Sequence, residues 1–261
     1  MKWTLIDSGP HDGKYNMDFD MFLSQNCSED QVFFRIYRWE PYTISIGANQ
    51  SFNEIDIEKA NQDKIDVVKR PTGGRAILHA EELTYSIILP LKFGLSAREI
   101  YNKTSVALSI GLGNYDDKLK SAEIEKNQPD FQTELTQPTG AICFASTAKS
   151  EVKFKGKKII GSAQRKMNSS ILQHGSILCG NFHLKLPYYL SGNSSSKSLF
   201  DELKMRTIEL STITNRNVNY SKLANSIISA FENEWNIKFD INNTHIENEF
   251  KMSCLQLNEN A

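Results

Sequence analysis

The segment of this chain that offers the most chemistry is residues 70–79, which reads Arg-Pro-Thr-Gly-Gly-Arg-Ala-Ile-Leu-His. Gly73 and Gly74 have no Cβ, so the backbone there can adopt positive φ and bring its N–H groups close to a ligand. Arg70 and Arg75 flank the two glycines, and each guanidinium can hold an anionic or carbonyl-bearing group through forked hydrogen bonds. The pattern predicts a loop that binds a polar group of a substrate.

Thr72 and His79 belong to the same loop, and the histidine ends it with a ring whose charge changes near neutral pH. Taken alone, the four residues from Thr72 to Arg75 also suit a tight turn between strands, because turn glycines are common. The longer string, followed by Glu-Leu-Thr-Tyr-Ser at residues 82–86, is rarer and favours the binding loop.

Cys143 is a residue type that can act as a nucleophile, and Lys158 is a residue type that can supply a positive charge. A thiolate, and not a thiol, attacks a thioester, and an adjacent cation lowers the pKa of a thiol. A cysteine between Ile142 and Phe144 is also typical of a buried, inert thiol. Lys158 is equally typical of a solvated surface lysine, so the residues alone leave both interpretations open.

The elements that must position these residues predict a mixed α/β fold. Runs of β-branched and aromatic residues predict strands at 2–7, 32–39, 43–46, 65–69, 83–89 and 171–179. Apolar residues at helical spacing predict helices at 16–24, 55–64, 96–112, 199–210 and 221–235. The polar stretch 114–140 predicts a long loop that covers a site.

Residues 151–162 predict a β-hairpin with a two-residue turn at Gly156-Lys157. This register pairs Lys155 with Lys158 and Phe154 with Ile159. Like charges directly across a ladder repel, so the register disfavours the ammonium form of Lys158, which a nearby Cys143 thiolate would restore.

The composition excludes several classes of protein. The chain has 261 residues, 30 basic against 31 acidic side chains and a net charge of −1, so no overall signature of nucleic-acid binding exists. No apolar run approaches the roughly 18 residues needed to span a bilayer, and the N-terminus has no apolar signal-peptide core. The four cysteines are widely scattered without CxxC spacing, which favours a reducing cytoplasm and argues against metal binding.

Five blocks of the sequence together resemble the lipoate/octanoate transferase and ligase superfamily, which includes the biotin-ligase catalytic fold. The blocks are residues 16–20, 34–47, 70–86, 156–164 and 171–176. The resemblance runs from about residue 3 to about residue 180 and is strongest to the cysteine-dependent octanoyl-[acyl carrier protein]:protein N-octanoyltransferases.

This resemblance implies a mixed β-sheet flanked by helices, with residues 1–190 as the catalytic core and 191–261 as a helical extension packed on the same domain. It implies transfer of octanoyl from octanoyl-acyl carrier protein to a lysine of lipoyl domains, such as the glycine cleavage H protein or E2 subunits. Cys143 would carry the acyl thioester, with Lys158 as its partner. No metal or organic cofactor is expected, because the thioester already supplies the activation.

The resemblance also implies which residues bind the acyl group. Gly161, Ser162 and Ala163 would form a small-residue floor, and His174 with Gly175 would meet the thioester region on the next strand. A half-buried histidine bonded to backbone is the alternative for both His79 and His174. The alternating side chains of the second strand, which are Arg35, Tyr37 and Trp39, are expected to be packing residues.

A basic segment supplies an expected contact with an acidic carrier or lipoyl domain. Between residues 149 and 166 the chain carries seven basic side chains against one acidic side chain, Glu151. Opposite charges accelerate encounter. A solvated lysine face without a partner is the alternative.

Three other activities remain open at this level. The first is an ATP-dependent lipoate ligase, although such ligases commonly read Gly-Gly-Gly where this chain has Gly73-Gly74-Arg75. The second is an amidotransferase that moves octanoyl between lipoyl domains. The third is a non-catalytic module that binds the carrier.

Overall fold

The computed structural model describes residues 1–125, 151–192, 196–241 and 244–259. The strands in these ranges are β1 (Lys2–His11), β2 (Gln31–Trp39), β3 (Thr43–Ile46), β4 (Asp66–Lys69), β5 (Ile77–His79), β6 (Glu82–Pro90), β7 (Glu123–Ile124), β8 (Val152–Phe154), β9 (Lys157–Lys166) and β10 (Ser170–Leu178). The helices are α1 (Gly13–Gln25), α2 (Ile57–Gln62), α3 (Ala97–Tyr115), α4 (Ser196–Arg206), α5 (Leu210–Thr214), α6 (Tyr220–Trp235) and α7 (Thr244–Glu259), with 3₁₀ turns at Phe52–Glu54, Asp117–Ser121 and Phe182–Tyr189.

Two sheets organise these elements. The large sheet has seven strands in the order β1-β2-β6-β10-β9-β8-β7, and the small sheet has the order β4-β3-β5. Strand β1 pairs with β2 in parallel, and the other pairings of the large sheet are antiparallel. The predicted mixed α/β architecture is therefore confirmed.

The large sheet is covered on both faces. On one face, α3 and α6 contribute Ile100, Leu108, Ile227 and Phe231 to a core shared with the apolar residues of β2 and β6. The helices begin where capping predicts, since Ser96 and Glu99 form a capping box at the start of α3. On the other face, Phe19 and Leu23 of α1 pack against β2, β6 and β10, and α7 stacks its Phe250 on Phe19 at 4.6 Å between ring centroids.

The small sheet has a core of its own. Its apolar residues pack with the 3₁₀ turn Phe182–Tyr189 and with Leu199 and Leu203 of α4. Helices α4 and α6 thus bury side chains against elements from the first 190 residues. The division of the chain at residue 190 stays a prediction.

The structure corrects the predicted register of the hairpin. Lys155 and Gly156, with φ of 49° and 77°, form the turn, and Lys153 lies opposite Lys158 while Phe154 lies opposite Lys157. A turn with positive φ at both central residues takes glycine at its second position, whereas the prediction placed glycine first. The prediction that Lys155 and Lys158 repel each other across the ladder is therefore wrong, because the two residues do not face each other.

Two other predictions need correction. The final residues, for which no element was predicted, form helix α7, and the predicted helix 199–210 is divided into α4 and α5. The predicted loop 114–140 begins instead with the end of α3, a 3₁₀ turn and β7. The remainder of that loop, residues 126–140, lies outside the described residues.

Candidate active site

A cavity lies between the large sheet on one side and the small sheet with α1 on the other. Eight residues predicted from the sequence as site residues line it: Arg70, His79, Lys158, Gly161, Ser162, Ala163, His174 and Gly175. The structure thus brings together residues that are more than 100 positions apart in the chain.

Small side chains form the floor of the cavity. The register of four adjacent strands places Tyr37, Thr84, Ser176 and Gly161 in one row across β2, β6, β10 and β9. Neighbouring strands lie about 4.8 Å apart, so this row spans about 14 Å. The cavity is a trench that runs across the strands, with Lys158 on β9 at one end and the aromatic residues of β2 at the other.

Glycine is required at one point of this floor. A Cβ on Gly175 would lie 2.5 Å from the Gly161 carbonyl oxygen and 2.7 Å from Ser162 Oγ. The Ser162 hydroxyl is hydrogen-bonded to Tyr85 at 2.7 Å, and burial raises the pKa of Tyr85 to about 12. The tyrosine therefore stays a neutral hydroxyl under the floor.

Lys158 is not a surface lysine. Its side chain is 3% exposed, and its Nζ lies 2.8 Å from Oε1 of Glu151, whose side chain is also 3% exposed. Lys153, which faces Lys158 across the ladder, pairs instead with Glu125. A buried ammonium needs a partner of this kind, because its isolated charge would be costly in an apolar interior.

His174 is held between Thr72 and Asp20. The Thr72 hydroxyl lies 2.6 Å from Nε2, and Asp20 Oδ2 lies 3.4 Å from Nδ1. Burial lowers the pKa of His174, so the ring is neutral at neutral pH. With the Nδ1 proton donated to Asp20, Nε2 accepts the hydroxyl hydrogen of Thr72.

Asp20 stays ionised although it is buried. Burial opposes ionisation, but hydrogen bonding from His174 and the charge of Arg35 lower the pKa of Asp20 below its ordinary value. Arg35 Nη1 donates to Asp20 Oδ1 at 3.0 Å, and neither side chain is exposed. The hydroxyls of Ser86 and Tyr37 donate to the same carboxylate at 2.8 and 3.2 Å.

His79 is held by a second buried carboxylate, Glu82. His79 Nδ1 lies 2.8 Å from Glu82 Oε1, and Nε2 is hydrogen-bonded to Ser45 at 2.7 Å. Trp39 stacks on the imidazole with 4.1 Å between ring centroids. Burial opposes ionisation of Glu82, but the charge of His79 and hydrogen bonds from His79, Ser176 and Thr84 lower the pKa of Glu82.

The glycine loop is fixed by its own arginine. Arg70 is buried and donates to the carbonyl oxygens of Ser45, Gly73 and Arg75 at 2.7–2.9 Å. Gly74 has φ of 92°, and its carbonyl oxygen approaches Gly47 so closely that a Cβ there would lie 2.0 Å away. Arg70 therefore shapes the loop from inside as well as lining the cavity.

The other loop residues lie away from the cavity lining. Thr72 is fully buried and reaches the site through His174, and the Gly73 side of the loop is open to space. The Arg75 guanidinium lies 3.7 Å from Glu54, and both side chains are about one-third exposed. Gly73, Gly74 and Arg75 therefore lie at the surface next to the site, whereas Thr72 does not.

Cys143 lies outside the described residues. Among the described cysteines, burial raises the pKa of Cys27 to about 12 and raises the pKa of Cys179 well above its ordinary value. Such thiols stay protonated at neutral pH and are poor nucleophiles.

Several residues of the site were missed by the sequence analysis or given another role. Tyr37 and Trp39, predicted as packing residues, line the cavity, and Arg35 holds Asp20 beneath it. Glu151 was assigned only to the hairpin. Charged residues at strand positions that must be buried were the available signal, because such charges need a partner.

This fold and this site define a catalytic domain of the class that attaches lipoyl or octanoyl groups to proteins. The family model described as the lipoyl protein ligase A/B catalytic domain matches residues 12–232, and the chain belongs to this family. The family expected from the sequence motifs is therefore confirmed.

Two relatives that match this chain are both named octanoyltransferase LipM. The chain is 38% identical over 182 residues to octanoyltransferase LipM of Staphylococcus aureus, a match that covers 67% of this chain and 65% of that protein. It is 31% identical over 245 residues to octanoyltransferase LipM of Staphylococcus epidermidis, with 91% and 88% covered. The chain thus spans just under two thirds of the first relative and most of the second.

Solved structures show the same fold. A lipoate-protein ligase A bound with ATP superposes with a TM-score of 0.74 at 19% identity, covering 97% of this chain and 94% of that chain. A bi-partite lipoate protein ligase from Thermoplasma acidophilum, studied with its E2 lipoyl domain, gives 0.74 at 17% identity, covering 97% and 91%. The predicted ligase-type fold is confirmed. No helix in the described ranges is long and apolar enough to cross a membrane.

Proposed function

We propose that this protein transfers an octanoyl group from octanoyl-acyl carrier protein to a lysine of a lipoyl domain through a thioester on Cys143. The relatives named octanoyltransferase support the reaction. The observation that carries the proposal is the buried Lys158 ammonium at one end of a trench with a floor of small residues.

The trench suits a linear acyl chain. The chain would enter at β9, cross the Gly161, Ser176 and Thr84 positions of the floor, and end against Tyr37 and Trp39 on β2. The carbonyl group would then lie beside Lys158. This placement puts apolar atoms over small side chains and the polar end beside a cation.

The proposed reaction has two acyl-transfer steps. In the first, the Cys143 thiolate attacks the carrier thioester, the carbon–sulfur bond to the carrier breaks, and the carrier leaves as a thiol. In the second, the neutral amine of the acceptor lysine attacks the Cys143 thioester, an amide forms, and the cysteine is released. Lys158 favours both steps because its positive charge stabilises the thiolate and the developing oxyanion.

The remaining predicted residues have proposed roles in binding. His174 and His79 would contact the thioester region, and Ser162, Ala163 and Gly175 would line the acyl chain. Arg70 and Thr72 would hold the loop, while Gly73, Gly74 and Arg75 would meet the arriving carrier or lipoyl domain at the surface. The scattered cysteines favour a reducing cytoplasm as the place of the reaction.

One experiment tests the proposal. Pure protein is mixed with octanoyl-acyl carrier protein and apo lipoyl domain, with and without ATP, and intact masses are measured. We expect an octanoyl adduct on this protein and then on the lipoyl domain without nucleotide, and neither with Cys143→Ala. Dependence on ATP and free octanoate or lipoate would replace the proposal with the ligase activity.

A further inference from the structure

Glu151 contacts Lys158 in a setting where neither side chain can turn to water. Glu151 directly precedes β8, Lys158 is the second residue of β9, and their charged atoms lie 2.8 Å apart with 3% of each side chain exposed. Lys158 lines the cavity, whereas Glu151 does not. The Glu151 carboxylate thus contacts the Lys158 ammonium from the side that faces away from the cavity.

The backbone of both residues is fixed independently of this ion pair. The Glu151 carbonyl oxygen accepts a hydrogen bond from the Glu125 N–H at 2.8 Å, and the Lys158 carbonyl oxygen accepts one from the Ile208 N–H at 3.0 Å. A lysine side chain has four flexible torsions beyond its Cα, so a fixed backbone does not fix its Nζ. The contact with Glu151 does.

We propose that Glu151 is a positioning residue for acyl transfer, whose carboxylate holds the Lys158 ammonium in place and directed into the cavity. This inference rests on the proposed function for its catalytic meaning. Its structural content, the contact between the Glu151 carboxylate and the Lys158 ammonium, is testable without it.

Other charged groups surround Lys158 from each element packed around it. On the hairpin side these are Lys153 and Glu125, and in the cavity wall they are Arg70, His79 and His174. His183 and Glu209 lie beside Thr207, whose backbone forms an isolated β-bridge with Lys158. Lys153 and Arg70 are cations that oppose a further positive charge nearby. Lys153 is itself paired with Glu125, and the carboxylate in contact with Lys158 is that of Glu151.

The first measurement is the labelling of Lys158 by acetic anhydride near neutral pH, quantified by mass spectrometry against the exposed Lys155 of the same protein. The neutral amine reacts and the ammonium does not. In Glu151→Gln we expect labelling of Lys158 to rise about tenfold, the lower end of the effect of removing an opposite charge at this distance. Glu151→Asp should stay close to the wild type.

The matched control is Glu125→Gln. It removes the carboxylate of the neighbouring ion pair, with Lys153 on the opposing strand, and should raise the labelling of Lys158 much less than Glu151→Gln does, because the contact that is lost is with Lys153. Equal labelling of Lys158 in the wild type and in folded Glu151→Gln overturns the proposal whether or not the protein transfers octanoyl.

The second measurement is the transfer rate. We expect Glu151→Gln to lower kcat about 100-fold with little change in KM, which is the cost of a catalytic group displaced by about 1 Å. In a Lys158→Met background, Glu151→Gln should have no further effect, since Glu151 acts through Lys158. An additional loss of the same size in that background would contradict the positioning role. If Glu151→Gln does not fold, Glu151→Met takes its place in both measurements, with the same expected results.

Discussion

Asp20 and Glu82 are two buried carboxylates, and each is hydrogen-bonded to a histidine in the wall of the cavity. Asp20 also has the Arg35 guanidinium at 3.0 Å, and its histidine, His174, has a lowered pKa and is neutral. Within the described part of the chain, the ion pair of Glu82 is made with His79 itself. Asp20 therefore has a guanidinium beside it in addition to its histidine, whereas the basic side chain beside Glu82 is the histidine itself.

This difference indicates that the two histidines have different roles in the wall of the cavity. His174, neutral and bonded to Thr72, can accept or donate a hydrogen bond without disturbing the charge balance beneath it. Both histidines are hydrogen-bonded on both nitrogens, but His79 is also stacked on Trp39, so its ring is the more firmly held of the two. The following predictions test the comparison, starting from the largest expected effect.

Arg35→Met should be the most destabilising single change, because it leaves the Asp20 carboxylate buried without its cation. Breaking a buried pair in this way costs about 3–5 kcal/mol. The measurement is the free energy of unfolding in urea, followed by tryptophan fluorescence. Asp20→Asn added to Arg35→Met should recover part of the loss, and no recovery would show that Arg35 acts through packing alone.

His79→Gln should destabilise the protein more than His174→Gln. The first change removes the imidazole that is hydrogen-bonded to Glu82 and Ser45, and leaving the buried Glu82 carboxylate without this partner should cost about 3 kcal/mol. The second keeps an amide donor for Asp20, which retains Arg35, and should cost about 1 kcal/mol. Equal losses in urea unfolding would contradict the distinction between the two carboxylates.

The free energy of unfolding should fall as the pH falls, and His174 should contribute to the first part of this loss. Its pKa is lowered in the folded protein, so the unfolded chain binds a proton below about pH 6.5 that the folded chain does not. The folded state should lose up to about 1.4 kcal/mol per pH unit from this group as the pH falls below that value.

His174→Gln should reduce this slope between about pH 6.5 and pH 5. His11 and His183, whose pKa values are also lowered, remain in the variant, so the difference isolates His174. At lower pH, both proteins should lose stability again as Asp20 and Glu82, with lowered pKa values, become protonated. Identical slopes in the two proteins would show that His174 is charged in the folded state.

The smallest effects should come from the hydroxyl groups that are hydrogen-bonded to Nε2 of each histidine. Thr72→Val and Ser45→Ala each remove one hydrogen bond, worth about 0.5–1.5 kcal/mol. Thr72→Val should also lower the rate of octanoyl transfer, because it frees Nε2 of the neutral histidine. Ser45→Ala should change stability more than rate, since His79 remains bound to Glu82.

Several residues of the site could be predicted from short sequence motifs. Arg70, His79, Lys158 and the small residues of β9 and β10 were predicted from motifs, and all of them line the cavity. Whether each contacts substrate stays a prediction. The octanoyltransferase family and its fold, also predicted from these motifs, were confirmed by the comparisons.

The partners of these residues were not visible in the sequence. Asp20 and His174 are 154 positions apart, and Thr72 and His174 are 102 apart. Only the strand order joins them, and local periodicity does not encode strand order. The hairpin register failed for a different reason, because Lys155 adopts positive φ, which is uncommon for a lysine.

The strand order also has a consequence for the time at which the cavity can form. Its floor joins β2, β6, β10 and β9, so two of its four strands are synthesised after residue 156. Contacts between strands so distant in sequence form slowly, because the loss of chain entropy precedes the gain from pairing. A nascent chain that has left the ribosome only as far as β6 has the glycine loop but no floor beneath it. Acyl transfer must therefore begin after translation has passed β10.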